Sequence, residues 1–145
     1  MKIIIFLTEV LIIDVMGINY EYEVNTIKQE MQKHAKECFK EMNVTQEEEQ
    51  RLKIDTKFGE LRMRCFSVCL MKKSEEIGED MKPNLERISQ IEHALHPRKA
   101  TEIMELILQC LDEVKNVEDE CDFANEYDDC VEKKTWKILQ QERIP

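Results

Sequence analysis

The chain has 145 residues, of which 36% are charged and 42% are hydrophobic, and its formal net charge is -10. This composition is typical of a single globular domain, and three glycines with three prolines provide too few turns for an all-β sandwich. Because an acidic surface repels phosphate groups, we expect neither nucleic acid nor an anionic membrane surface as a partner.

The N-terminal stretch has the layout of a secretory signal peptide. A lysine follows the initiator methionine, a mostly apolar run comes next, and Gly17 is small enough for cleavage after it. The apolar run is too short to span a bilayer, and the charges of Glu9 and Asp14 are unusual for a signal core. We expect a signal peptide over 1–17 and a single domain over 18–145. The alternative is an amphipathic N-terminal helix of a cytosolic protein.

Apolar residues then recur at intervals of three or four, which predicts six helices with short connections. The segment 18–25 before the first of them reads as a polar and aromatic lead-in, and the tail after 131 carries Trp136. The predicted helical stretches are 26–42, 46–54, 58–69, 85–95, 103–114 and 121–131.

Start and stop signals mark the connections between these stretches. Thr45, followed three residues later by Glu48, is a capping box that satisfies free amides at a helix start. Gly78 and Pro83 indicate a loop, and Pro97 ends the fourth helix.

Six cysteines follow the pattern C-x26-C-x3-C-x40-C-x10-C-x8-C. Cys65 and Cys69 would lie on one face of a helix, which favours two different partners. Cys121 and Cys130 are nine positions apart and would face opposite sides of a helix. This reasoning leaves many of the fifteen possible pairings open. Since no C-x-x-C pair exists and no histidine has ligand spacing, we expect no metal site.

The cysteine spacing resembles that of the insect odorant-binding proteins of the six-cysteine class. All five gaps carry the resemblance, above all the x3 and x8 gaps, and it covers residues 38–130. It implies an all-α, six-helix bundle, linked by disulfides around a hydrophobic pocket. The implied bridges are Cys38–Cys69, Cys65–Cys121 and Cys110–Cys130.

The same resemblance implies a secreted, extracellular carrier of small hydrophobic ligands that needs no cofactor. Such a carrier would be a monomer or a weak homodimer and would present its cargo at a receptor-bearing membrane. In the resembled family the chain after the last cysteine often folds back over the pocket.

Ten residues are candidates for ligand contact, although each could equally belong to an ordinary core. They are apolar residues of the fifth helix, two phenylalanines close to cysteines, and residues of the sixth helix and the tail. Two of them, Tyr127 and Trp136, could also donate a hydrogen bond from an apolar wall. The ten are Phe66, Leu106, Ile107, Leu111, Val114, Phe123, Tyr127, Trp136, Ile138 and Leu139.

Two further features bear on release and secretion. His34, His93 and His96 could titrate near neutral pH and thereby loosen the fold or release a ligand. Asn43, in the sequence Asn-Val-Thr, is a glycosylation sequon at a predicted helix start.

Motifs for catalysis are missing from the sequence: it has no Ser/His/Asp set, no paired-carboxylate motif and no phosphate-binding loop, so we expect no enzyme. The acidic runs 47–49 and 118–120 are typical of solvated helix faces. The favoured interpretation is a secreted carrier of odorants or pheromones. Two alternatives stay open: a carrier in haemolymph or in a gland or venom secretion, and a disulfide-linked helical signal or toxin that binds a protein partner.

Overall fold

The computed structural model describes residues 2–52 and 63–142, and it describes side chains over 21–51 and 63–141. These residues form six helices and, apart from an isolated bridge between Ile77 and Pro83, no β-structure. The predicted all-α class is therefore confirmed. The helices are α1 (Lys2–Glu41), α2 (Gln46–Leu52), α3 (Phe66–Lys73), α4 (Leu85–Leu95), α5 (Ala100–Val114) and α6 (Glu120–Glu142).

Helix α1 begins much earlier than the sequence pattern predicts. The segment 18–25, expected as a lead-in, is helical and continuous with the residues on both sides of it. No proline interrupts the sequence of α1, and the single Gly17 costs an exposed helix only about 1 kcal/mol. The predicted cleavage after Gly17 falls within this helix and stays a prediction.

Helix α6 also runs further than expected. The tail continues α6 to Glu142, so residues 131–142 are helical. The physical reason is that neither glycine nor proline interrupts α6. The third predicted helix is observed only from Phe66 onward, and its first predicted residues, Phe58 and Leu61, lie outside the described part of the chain.

Side-chain caps fix the starts of three helices. The capping box before α2 is confirmed: the Thr45 amide donates to the Glu48 carboxylate at 2.8 Å, and the Glu48 amide donates to the Thr45 hydroxyl at 3.2 Å. Asn84 caps α4 by accepting from the Arg87 amide at 3.2 Å. Asp119 caps α6 by accepting two backbone amides, at 2.9 and 3.0 Å. Each cap satisfies donors that the first helical turn leaves free.

The helices pack in pairs and are joined by three disulfides. Helix α6 contacts α3 and α5, α4 contacts α5 and α1, and α1 contacts α3. Cys38–Cys69 links α1 to α3, Cys65–Cys121 links the start of α3 to α6, and Cys110–Cys130 links α5 to α6. These are the pairings that the resemblance implies.

The core lies where α3, α4, α5 and α6 meet. On α5 the residues Ile103, Ile107, Cys110 and Val114, spaced four, three and four apart, are all at most 3% exposed. This spacing places them on one face of the helix, which explains why α5 buries that face. The α3–α4 loop contributes Ile77, which is 2% exposed. No helix in the described part of the chain is both long and apolar enough to cross a membrane.

Candidate functional site

Seven of the ten predicted ligand-contact residues lie in the central core or against it. All seven belong to α5 and α6, whose packing is held by the Cys110–Cys130 disulfide. The structure therefore brings this group together as one apolar surface. Buried members are Ile107, Val114, Phe123 and Tyr127, and partly buried residues packed against them are Leu111, Ile138 and Leu139.

The other three predicted residues have different surroundings. Phe66 stacks on Phe39 of α1, with ring centroids 4.9 Å apart, next to the disulfide that joins α1 to α3. Leu106 is half-buried on α5. Trp136 is 54% exposed, because it lies on the outer face of α6 while Ile138 and Leu139 pack inward.

Tyr127 places a polar group on the apolar wall of the core. Its side chain is only 4% exposed, and its ring lies parallel to that of Phe123 at a centroid distance of 6.5 Å. Among the residues that the structure describes, its hydroxyl has no hydrogen-bond partner. Burial, followed by the nearby carboxylates of Glu76 and Glu92, raises the pKa of Tyr127. The hydroxyl therefore keeps its proton at neutral pH and can donate a hydrogen bond.

A polar cluster at the start of the α3–α4 loop was not predicted. The Ser74 hydroxyl, on a residue only 1% exposed, donates to Glu76 Oε1 at 2.8 Å. Arg87 of α4 donates from Nε to the Ser74 carbonyl and from Nη2 to Glu30 of α1, both at 2.9 Å. These bonds tie α1 and α4 to the loop. Burial raises the pKa of Glu76 although the Ser74 hydroxyl opposes the shift.

The loop between α3 and α4 holds this cluster through backbone bonds. The Gly78 amide donates to the Lys82 carbonyl at 3.0 Å, and the Asn84 amide donates to the Glu76 carbonyl at 2.8 Å. Glu75 and Met81 both have φ of 63°, in the left-handed region that ordinary residues seldom adopt. Sequence periodicity carries no signal for such a loop, and Gly78 and Pro83 indicate only that a loop is present.

Three clefts open to solvent border the described helices, with volumes of about 380, 410 and 400 Å³. The first lies beside Cys65 and Cys69, the second between α1 and α4, and the third beside Cys130. Of the ten predicted ligand residues, only Val114 borders any of these three clefts, in its case the third. The ligand-contact assignments therefore stay predictions.

The three histidines have different hydrogen-bond surroundings. His34 of α1 has a buried Nδ1 without a hydrogen-bond partner, 3.8 Å from the carboxylate of Glu37. His93 Nδ1 lies 2.8 Å from the Ser89 carbonyl oxygen. His96 caps the C-terminal end of α4, and its backbone amide donates a hydrogen bond to the Glu92 carbonyl. Their role in ligand release stays a prediction.

The predicted glycosylation residue lies on the surface. Asn43 is exposed in the turn between α1 and α2, with φ of 56°. The exposed turn leaves room for a glycan, and the occupancy of this sequon stays a prediction.

Comparison with known proteins identifies the family of the chain. The sequence model described as the PBP/GOBP family matches residues 21–134, which is most of the chain and includes all six cysteines. No curated protein and no solved structure matches. Together with the three disulfides and the six-helix fold, the family match establishes that the chain belongs to the PBP/GOBP family, the pheromone-binding and general odorant-binding proteins, in its six-cysteine class.

Proposed function

We propose that this protein is a secreted carrier that binds small, mainly apolar molecules, such as odorants or pheromones, in an extracellular fluid. The observation that carries the proposal is the family match over residues 21–134. In this proposal the protein needs no cofactor and catalyses no reaction.

The disulfides support an extracellular setting. All six cysteines are paired, and disulfides persist in oxidising compartments. They also suit a carrier, because they hold α1, α3, α5 and α6 together by covalent bonds. Such a framework keeps its shape when a ligand replaces some of the apolar contacts between these helices.

The proposed ligand site is the apolar surface that α5 and α6 share, with Tyr127 as its hydrogen-bond donor. Burying about ten methylene groups of a ligand gains on the order of 8 kcal/mol. Association and ordering costs subtract several kcal/mol from this gain, and polar contacts restore part of it. We therefore expect dissociation constants in the micromolar range.

Displacement of a fluorescent hydrophobic probe tests the proposal. We expect saturable probe binding and displacement by odorant-sized molecules at micromolar concentration. Leu111→Ala, at a half-buried position of α5, should weaken probe binding, whereas Leu108→Ala should not, because Leu108 is 48% exposed on the same helix. Absence of saturable binding, together with one tight protein partner, would favour the signal or toxin interpretation instead.

Delivery and assembly complete the proposal. We expect the carrier to present its cargo at a receptor-bearing membrane and to be a monomer or a weak homodimer. Sedimentation of the oxidised protein over a range of concentrations tests the assembly state: a tight complex at every concentration would contradict it. Expression in an antenna would favour olfaction, and expression in a gland would favour another secreted fluid.

A further inference from the structure

The cleft between α1 and α4 is separate from the proposed carrier site. It has a volume of about 410 Å³ and is open to solvent. None of the ten predicted ligand residues borders it, nor does any cysteine. Its size lies within the range of sites that hold small molecules. The bordering residues are Tyr22, Glu23, Thr26 and Ile27 of α1 and Arg87, Gln90, His93 and Ala94 of α4.

One part of this cleft is apolar. Tyr22 is 72% exposed, so its ring is available to a ligand, while Ile27 is half-buried and Ala94 is 8% exposed. An aromatic face beside aliphatic side chains gives a small ring or a short alkyl chain a surface to cover.

Thr26 and His93 offer hydrogen-bond acceptors to the cleft, and the Gln90 carboxamide offers both an acceptor and donors. The Thr26 hydroxyl donates its hydrogen to the Tyr22 carbonyl at 2.9 Å, so its oxygen lone pairs remain to accept a hydrogen bond. His93 Nδ1 lies 2.8 Å from the Ser89 carbonyl oxygen and 3.2 Å from the Ser89 hydroxyl oxygen, and the tautomer with its hydrogen on Nδ1 can donate to either of them. In the neutral ring, Nε2 is then an acceptor. The cleft therefore favours a ligand that donates hydrogen bonds.

The charges of the cleft favour a cation. Among the described residues, Arg87 is the only lysine or arginine that borders the cleft. Its guanidinium donates to the Glu30 carboxylate and the Ser74 carbonyl, both at 2.9 Å. Glu23 is exposed, and no residue in the described part of the chain forms an ion pair with it. The pairing of Arg87 with Glu30 cancels the positive charge, and the carboxylate of Glu23 remains.

From this lining we propose that the α1–α4 cleft binds small organic ammonium ions. The ammonium group would lie at the Glu23 carboxylate and donate to the acceptors of Thr26 and His93, while the apolar part of the ion would cover Ile27 and the ring of Tyr22. An aromatic face also attracts a cation directly. Because the cleft is open and the ion is small, we expect dissociation constants on the order of 0.1–1 mM.

A set of three matched probes tests the charge preference. 2-Phenylethylamine, 2-phenylethanol and 3-phenylpropanoate share a phenyl ring and a two-carbon chain, but carry an ammonium, a hydroxyl and a carboxylate group. Each is titrated into the oxidised ¹⁵N-labelled protein, and amide chemical shifts are followed. We expect saturable shifts in residues 22–27 and 87–94 with the amine, binding about threefold weaker with the alcohol, and none with the carboxylate. Equal binding of amine and carboxylate would overturn the proposal, as would amine shifts confined to α5 and α6.

A pair of variants on one helix tests the role of Glu23. Glu23→Gln keeps the size of an exposed side chain and should weaken amine binding about threefold. Glu21→Gln, also exposed on α1 but outside the cleft, should leave it unchanged. Equal effects of the two variants would show that the cleft does not hold the ammonium group.

Competition with the hydrophobic probe separates this inference from the carrier function. The amine should shift the amides of the cleft with the probe bound, and it should not displace the probe. Displacement of the probe by the amine would refute a separate site without touching the carrier proposal. Failure of probe binding, with cleft shifts intact, would refute the carrier proposal alone.

Discussion

Arg64 donates to Asp119 Oδ1 at 2.8 Å across 55 positions of sequence, beside the Cys65–Cys121 disulfide. The same Asp119 oxygen accepts the backbone amides of Cys121 and Asp122 and so begins α6. One carboxylate thus fixes both the start of a helix and its attachment to the segment that leads into α3.

Removing the charge of Asp119 should destabilise the protein at neutral pH. Backbone hydrogen bonding from Asp122, together with Arg64, holds the pKa of Asp119 below its ordinary value. A lowered folded-state pKa means that the stabilisation is present above the ordinary pKa and is lost as the pH falls through the folded-state value. Asp119→Asn should therefore lower Tm by a few degrees at pH 7, and the difference should vanish in strong acid.

Thermal unfolding followed by circular dichroism checks this pH dependence. Glu118→Gln is the matched control, since Glu118 is an exposed neighbour on the same segment. A loss of Tm in Asp119→Asn that is equally large at pH 7 and pH 2 would contradict the role assigned to the charge.

Neutralising Glu76 should stabilise the protein at neutral pH, whereas neutralising Asp119 should destabilise it. Burial raises the pKa of Glu76 above its ordinary 4.5, so its contribution to stability is fully present below pH 4.5 and is lost as the pH rises through the folded-state pKa. Glu76→Gln keeps an acceptor for the Ser74 hydroxyl and removes the charge. We expect a higher free energy of unfolding at pH 7 and little change at pH 4.

Denaturant unfolding of Glu76→Gln at both pH values measures this effect. Glu75→Gln is the control on the same loop, because the Glu75 side chain is exposed. If Glu76→Gln stabilised the protein equally at pH 4, or if Glu75→Gln matched it at pH 7, the burial of the Glu76 charge would not be the cause.

The disulfides should differ in their contribution according to the loops that they close. The sequence separations are 56 for Cys65–Cys121, 31 for Cys38–Cys69 and 20 for Cys110–Cys130. Chain-entropy estimates give about 4 kcal/mol for the longest loop and about 3 kcal/mol for the shortest. Double serine variants of each pair, unfolded in guanidinium chloride, should lose stability in this order. A reversed order would mean that contacts in the native state outweigh the entropy that each loop closure removes from the unfolded chain.

Periodicity predicted the parts of the fold whose burial repeats along a helix. The α5 pattern identified Ile103, Ile107, Cys110 and Val114, and all four are buried. Periodicity could not predict the helix ends, because α1 begins before its apolar pattern and α6 continues beyond its own. Helix length there depends on local propensity, not on burial of a face.

Residue hydrophobicity does not predict burial where the side of the helix on which a residue lies decides its exposure. On α6, Thr135 is 3% exposed and Trp136 is 54% exposed, the reverse of what hydrophobicity alone suggests. One residue rotates a helix by about 100°, so neighbours point to different sides. The Ser74–Glu76 cluster was missed for another reason: backbone bonds within an aperiodic loop place it, and no spacing in the sequence records them.

Tyr127 provides the most direct test of the ligand site. The Tyr127 side chain is 4% exposed, and its hydroxyl has no hydrogen-bond partner among the described residues. The hydroxyl keeps its proton, because burial raises the pKa of Tyr127. Tyr127→Phe should therefore leave the free energy of unfolding nearly unchanged. It should weaken binding of an oxygen-bearing ligand about threefold to tenfold, the worth of one hydrogen bond. Binding of a hydrocarbon of equal chain length should not change.

Paired titrations of an alcohol and an alkane of equal length, each displacing the fluorescent probe, measure that difference. Tyr22→Phe is the matched control, because Tyr22 is 72% exposed and borders the α1–α4 cleft, which no described residue of α5 or α6 lines. An equal loss for both ligands in Tyr127→Phe would indicate a packing effect of the ring. No loss for either would place the polar end of the ligand away from Tyr127 and leave α5 and α6 as a solid core.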